Sequence, residues 1–158
     1  MFGLVYISIE KYIEYPDDSE ILGVSIDGAS KETYEILRKS AKWDNLNRNL
    51  EVIAKIKQEK GFRFILHFVI QKENYHEMEK MIDLGEQYGA DRVWLNKIEN
   101  WNTFDNWEEQ NIFAPTHSDN VDYNLYLNTV LQRIWKRNDR FIECPTLISE
   151  AVRYKNKN

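Results

Sequence analysis

Three segments rich in strand-forming residues, separated by two stretches long enough for helices, constrain this chain more than any other feature. Ile21 to Asp27 reads as a strand ended by Gly28, and Phe62 to Ile70 as the strongest strand in the chain. Arg92 to Ile98 reads as the third. Between the first two, Ser30 is placed to cap a short helix over 31–39. A longer helix is predicted from about Trp43 to Lys60, with Leu46, Leu50 and Ile53 on one stripe and Val52 and Ile56 widening it. Gly61 is placed to end that helix. Between the second and third strands, Asn74 and Glu77 resemble a capping box. The helix after them carries Met78, Met81, Ile82, Gly85 and Tyr88 on one side, and Gly89 closes it. Strands alternating with helices of this length run parallel and are joined by right-handed crossovers. The expected fold class is therefore α/β.

The flanks are less regular. Leu4 to Ile9 has strand composition and suits an edge, and Pro16-Asp17-Asp18 breaks the pattern after it. Beyond Glu99 an aromatic loop begins at Asn100-Trp101-Asn102-Thr103-Phe104, and Pro115 to Asn120 marks a second break. A helix from about Val121 to Arg137 carries Leu125, Leu131, Ile134 and Trp135. The rest, through Cys144-Pro145, reads as irregular or as a short docking segment, and Arg153 to Asn158 as a frayed tail. The expected division is 1–99 as a β-α-β-α-β core and 100–158 as a helical and loop extension.

Composition removes several function classes. The net charge is −5, from 26 acidic and 21 basic residues, which argues against a general nucleic-acid backbone binder. The apolar run from Phe2 to Ile9 is too short to span a bilayer and has no basic residue before it, so no membrane partner is expected. One cysteine, Cys144, cannot form an internal disulfide, which fits a reducing compartment; the chain reads as cytoplasmic.

In parallel α/β folds, ligands collect at the C-terminal ends of the strands. With the apolar faces turned to the helices, the opposite faces present Ser25 and Asp27, then His67, Val69 and Gln71, then Asn96. Hydroxyls and amides gathered there suit a ribose or the edge of an aromatic base. Ser25 and Asp27 equally suit a purely structural part, capping the turn and helix that follow.

The run Val24-Ser25-Ile26-Asp27-Gly28-Ala29-Ser30-Lys31-Glu32-Thr33-Tyr34-Glu35-Ile36-Leu37-Arg38 resembles the fourth-strand segment of radical S-adenosylmethionine (radical SAM) enzymes. His67 to Asn74 and Tyr88-Gly89-Ala90-Asp91 are similar to what that family shows at its fifth strand and before its sixth. Trp101-Asn102-Thr103 and Ala114-Pro115-Thr116-His117 resemble subfamilies with a region after the barrel. The likeness covers roughly residues 20–140, and its ordered series is more specific than any single piece. It implies a (β/α)6 partial barrel of which this chain holds the C-terminal half. It also implies that Ser25 and Asp27 lie near the ribose and amino-acid part of SAM, and that Val69, Gln71 and the segment after Asn96 lie near its adenine.

The same resemblance implies what the chain lacks. The family holds a [4Fe–4S] cluster on a Cys-x3-Cys-x2-Cys loop, and three thiolates cannot come from a chain whose only cysteine is Cys144. The Gly-Gly-Glu type motif that binds the SAM amino group is absent too. The expected function is thus a truncated or split radical SAM protein, not catalytic alone. Its complete form would cleave SAM reductively at the cluster to start radical chemistry on an unknown substrate. The alternative is a non-catalytic α/β binding or assembly module that keeps the strand-end pocket. Either version exposes strand edges, so a missing N-terminal half-barrel chain or self-association is the expected partner.

Other residues carry less. His67 is a possible acid–base group, though a packed histidine is commoner on such a strand. His76 reads as a solvated helix residue, and His117 follows Pro115 in a loop; with Cys144 they form no metal spacing. Cys144 lacks a recognisable partner base. Trp94, Trp101, Trp107 and Trp135 read as core and loop packing rather than a stacking platform, because no basic residues interleave them.

Overall fold

The computed structural model describes residues 21–102, 104–137, 141–144 and 147. The strand expected over residues 4–9, the break at 16–18 and the tail at 153–158 lie outside them. Strand β1 is Ile21–Ser25, followed by helices α1 (Lys31–Leu37) and α2 (Trp43–Lys60), then β2 (Arg63–Ile70). A 3-10 turn, Tyr75–Glu77, leads into α3 (Met78–Gln87), and β3 follows at Arg92–Lys97. A short α4 (Trp107–Gln110), a long α5 (Asn120–Arg137) and a two-residue β4 (Ile142–Glu143) complete the order.

All three strand pairs are parallel, and the sheet order is β1-β2-β3-β4. The register runs Ser25↔His67↔Trp94↔Glu143 across all four strands. Sequential parallel order matters, because right-handed crossovers that always advance in one direction put every connecting helix on the same side of the sheet. The burial pattern agrees. Phe64, Leu66, Phe68 and Ile70 of β2 and Val93 and Leu95 of β3 are fully buried. They share one core with Leu46, Leu50 and Ile53 of α2, Met78, Met81 and Ile82 of α3, and Tyr123, Leu127, Val130 and Leu131 of α5. Each of the largest of these contributes about 1.5–3 kcal/mol by leaving water.

The α/β class and the alternation expected from the sequence are therefore present. Gly61 ends α2 in the left-handed conformation, at φ 82°, and its N–H bonds the Lys57 carbonyl. Gly85 lets α3 approach β3, since a Cβ there would meet Val93 Cγ2 at 2.3 Å. Two things differ from expectation. The segment after residue 99 adds β4 to the sheet as well as α5 to the core, so part of the stretch read as irregular or as a short docking segment is a strand paired with β3. Of the α5 residues singled out, Leu131 is buried and Ile134 packs against the core, whereas Leu125 and Trp135 face outward.

Candidate functional site

The ends of β1 and β2 are fastened together by two buried polar side chains. Asn74 is completely buried. Its amide nitrogen donates to the carbonyls of Asp27 (2.9 Å) and Val69 (2.8 Å), and its Oδ1 accepts from the Gln71 N–H at 2.8 Å. Glu77, 1% exposed, accepts the Ala29 N–H at 2.8 Å through Oε2. The bonds to Asp27 and Ala29 reach across 47 and 48 residues of sequence. They correct the capping-box reading of Asn74 and Glu77: neither side chain caps a helix, because both are spent holding the turn after β1 to the turn after β2.

The segment Ser25-Ile26-Asp27-Gly28 runs through this junction. Ile26 is buried and extends the β1–β2 ladder, its N–H bonding the His67 carbonyl at 2.8 Å. Gly28 then passes against the first turns of α1, where a Cβ would lie 2.4 Å from the Tyr34 nitrogen. Ser30 caps α1 as expected, its hydroxyl accepting from the Thr33 N–H at 3.3 Å. The Asp27 carboxylate turns to Arg38 at the end of α1, with Nε donating to Oδ2 at 2.7 Å. Its other oxygen, Oδ1, is enclosed without a hydrogen-bond partner.

The face of the sheet away from the helices carries the remaining site residues. Ser25 is exposed at the end of β1, and Val69 and Asn96, paired in the β2–β3 register, are half-buried. Gln71 is half-buried just past β2, where its backbone is held by Asn74. Beside Ser25 in the register, His67 stacks on Trp94 with ring centroids 5.2 Å apart and planes 30° from parallel. Burial lowers the His67 pKa from its usual value, so the ring is neutral at pH 7. The row has room over Gly23, where a Cβ would come within 3.0 Å of His67 Nε2. Trp94 keeps its indole N–H buried and without a partner.

The structure thus brings Ser25, Val69, Asn96 and His67 onto one face, with Gln71 at its edge, and makes Asp27 part of the junction beneath. The residues that organise the site, Arg38, Asn74, Glu77 and Trp94, do so through contacts between distant segments. The Asn-x-x-Glu spacing signalled two of them, but through a different bond. A depression of about 660 Å3 lies near the end of β2, lined by Lys72 and by the loop residues Asn106, Asn111 and His117 among others. His117 braces that loop, its Nδ1 accepting the Asp119 N–H and its Nε2 bonding the Glu109 carbonyl, both at 3.0 Å. None of Ser25, Asp27, Val69, Gln71 and Asn96 lines it.

Among the described residues no three His, Cys, Asp or Glu side chains are grouped to hold a metal ion, and no helix is long and apolar enough to cross a membrane. Cys144 is buried against the core, and burial pushes its thiol up to about 11. Of the tryptophans, Trp101 and Trp135 are largely exposed rather than buried in the core. Compared with known proteins, the chain matches no family model and no curated protein.

Proposed function

We propose that this chain is the C-terminal half of a radical SAM-type (β/α) barrel, truncated or split from the half that would carry the iron–sulfur cluster. The observation that carries the reading is the winding. Four parallel strands in sequential order, with helices on one side and polar side chains at the strand ends on the other, support this reading, because consecutive units of a barrel wall have that order. A doubly wound sheet would instead reverse its order at a switch point. The resemblance of the series from Val24 to Arg38 and from His67 to Asn74 supports the choice of family.

The residues fit the two cofactors differently. For SAM, the exposed Ser25 hydroxyl, the Asn96 amide and the Gln71 side chain are free to serve as polar contacts, with Val69 as the apolar wall between them. Asp27 would act through the junction, since its carboxylate already holds Arg38. For a [4Fe–4S] cluster the residues do not fit. The single thiol is buried, and its raised pKa keeps it protonated at neutral pH. Bound in a complete barrel, SAM would supply the radical, and Ser25, Val69, Gln71 and Asn96 would hold and orient it.

Two measurements test the reading. Titration calorimetry with SAM should show weak binding, weakened further at least fivefold by Asn96→Ala. Genomic sequence beside that encoding Met1, or a neighbouring gene, should encode a parallel α/β segment with Cys-x3-Cys-x2-Cys. No heat at millimolar SAM together with no such reading frame would overturn it in favour of a non-catalytic binding or assembly module. That second reading draws on the junction itself, whose buried polar groups are consumed in holding the fold.

A further inference from the structure

Helix α5 has two apolar faces. Its inner face, with Tyr123, Leu127, Val130 and Leu131, is in the core. On the opposite side Val121, Leu125, Asn128, Gln132 and Trp135 follow one another at spacings of four and three residues. At about 100° per residue these five lie within roughly 40° of a single line along the helix. The apolar members are strongly exposed: Val121 69%, Leu125 61% and Trp135 59%. Large apolar side chains in one row at heptad spacing form the seam of a helix pair rather than a solvated surface.

We propose that this seam pairs with the same helix of a second copy of the chain, the two running antiparallel. The charges flanking the seam choose the occupant and its direction. Asp122, Thr129 and Lys136 are exposed and lie on one flank, seven residues apart. In an antiparallel pair this flank faces its own copy. When Leu125 packs on the second copy's Trp135, and Asn128 lies against its Gln132, the register sets Asp122 beside Lys136 at both ends. Thr129 then meets Thr129 at the two-fold axis. A parallel pair would leave Asp122 and Lys136 about 21 Å apart along the axis. The antiparallel pair also lays the acidic first turn, with Asp122, beside the basic last turn, with Lys136 and Arg137, so the helix dipoles are complemented. The seam is therefore self-complementary in apolar contact, amide pairing and charge, which is what an isologous two-fold contact requires.

One helix pair of 18 residues buries about 1,000 Å2 or less, so the dimer is weak and depends on concentration. Sedimentation analysis from about 10 µM to 1 mM should show reversible dimerisation. Leu125→Glu and Trp135→Glu should each weaken it at least tenfold, with the circular dichroism spectrum unchanged. The decisive comparison is charge reversal. Asp122→Lys and Lys136→Asp should each weaken the dimer about threefold to fivefold, and the double variant should restore it, because both pairs re-form with opposite sign. A chain that stays monomeric at 1 mM overturns the proposal. So does a dimer indifferent to Leu125→Glu and Trp135→Glu, since that association belongs to another surface, such as the open sheet face. Failure of the double variant to recover overturns the antiparallel register. None of these outcomes bears on SAM binding, which is read separately.

Discussion

The junction after β1 and the outer seam of α5 reverse the usual distribution of side chains in opposite ways. At the junction polar groups are taken out of water, with Asn74 and Glu77 essentially fully buried. On α5 apolar groups are left in it. A buried polar group is tolerated only when its hydrogen bonds are made, so the junction is specific: Asn74 makes three bonds, each to a different backbone group. An exposed apolar row has no such directional demand, and its meaning depends on what covers it. Buried polar chemistry is concentrated where two strand ends must be fixed, while α5 keeps apolar side chains exposed along its outer side.

The largest loss of stability is expected at Asn74. Replacing it with Asp keeps the acceptor facing the Gln71 N–H but aims a carboxylate oxygen at the carbonyls of Asp27 and Val69. Urea unfolding should show a loss of about 3–5 kcal/mol for Asn74→Asp. Asn74→Ala, which removes the bonds without adding repulsion, should cost about 2–4 kcal/mol. If the two variants cost the same small amount, water replaces the amide and the junction is not specific. Gly28→Ala tests the same region through shape rather than polarity. Its Cβ would overlap the Tyr34 nitrogen, a backbone atom that cannot swing away, so a loss of about 2–3 kcal/mol is expected.

That contrast also marks what the sequence could and could not reveal. The strands, the helices between them, the Ser30 cap and the Gly61 stop were legible because they rest on local periodicity and on residue types with one dominant backbone role. Asn74 misled because Asn-x-x-Glu is a local signature, while one of its bonds here runs to the Asp27 carbonyl, held 47 residues away after another strand. Strand β4 is two residues long and pairs with β3 across a gap of more than 40 residues, too short for alternation to register. On α5, apolar residues occur on both sides, so periodicity gives the helix but not which side is core. Leu125 and Trp135 were as eligible as Tyr123 and Leu127 until the sheet chose. At the site, the face shared by Ser25, Val69 and Asn96 followed from strand alternation. The engagement of Asp27 with Arg38 did not, because it depends on where α1 ends.

On the seam the same perturbation should do little to a single copy. Leu125→Glu and Trp135→Glu change exposed positions, and unfolding at low protein concentration should shift by no more than about 0.5 kcal/mol for Leu125→Glu. A loss of 2 kcal/mol or more would mean that Leu125 supports the core, and the contrast with the junction would dissolve.

The smallest effect concerns His67, which stands between the two cases as a polar ring half-buried on the open face of the sheet and stacked on Trp94. Burial penalises its charged form, so its folded pKa lies below the unfolded value of about 6.5. The sign follows from proton binding. Well above pH 6.5 the ring is neutral in both states and contributes no pH dependence. As the pH falls below that value the unfolded chain takes up a proton that the folded chain resists, so stability declines until the folded pKa is reached and then levels off. His67→Gln keeps a polar side chain but cannot titrate. Thermal melts from about pH 5 to 8 should therefore show a shallower decline below pH 6.5 for His67→Gln than for the native chain, with the curves parallel above it. A slope unchanged by the substitution would mean that the ring takes up its proton equally easily in the fold. In that case the open face is wet enough to solvate an imidazolium beside Trp94, and Ser25, Val69 and Asn96 line a polar surface rather than a partly enclosed one.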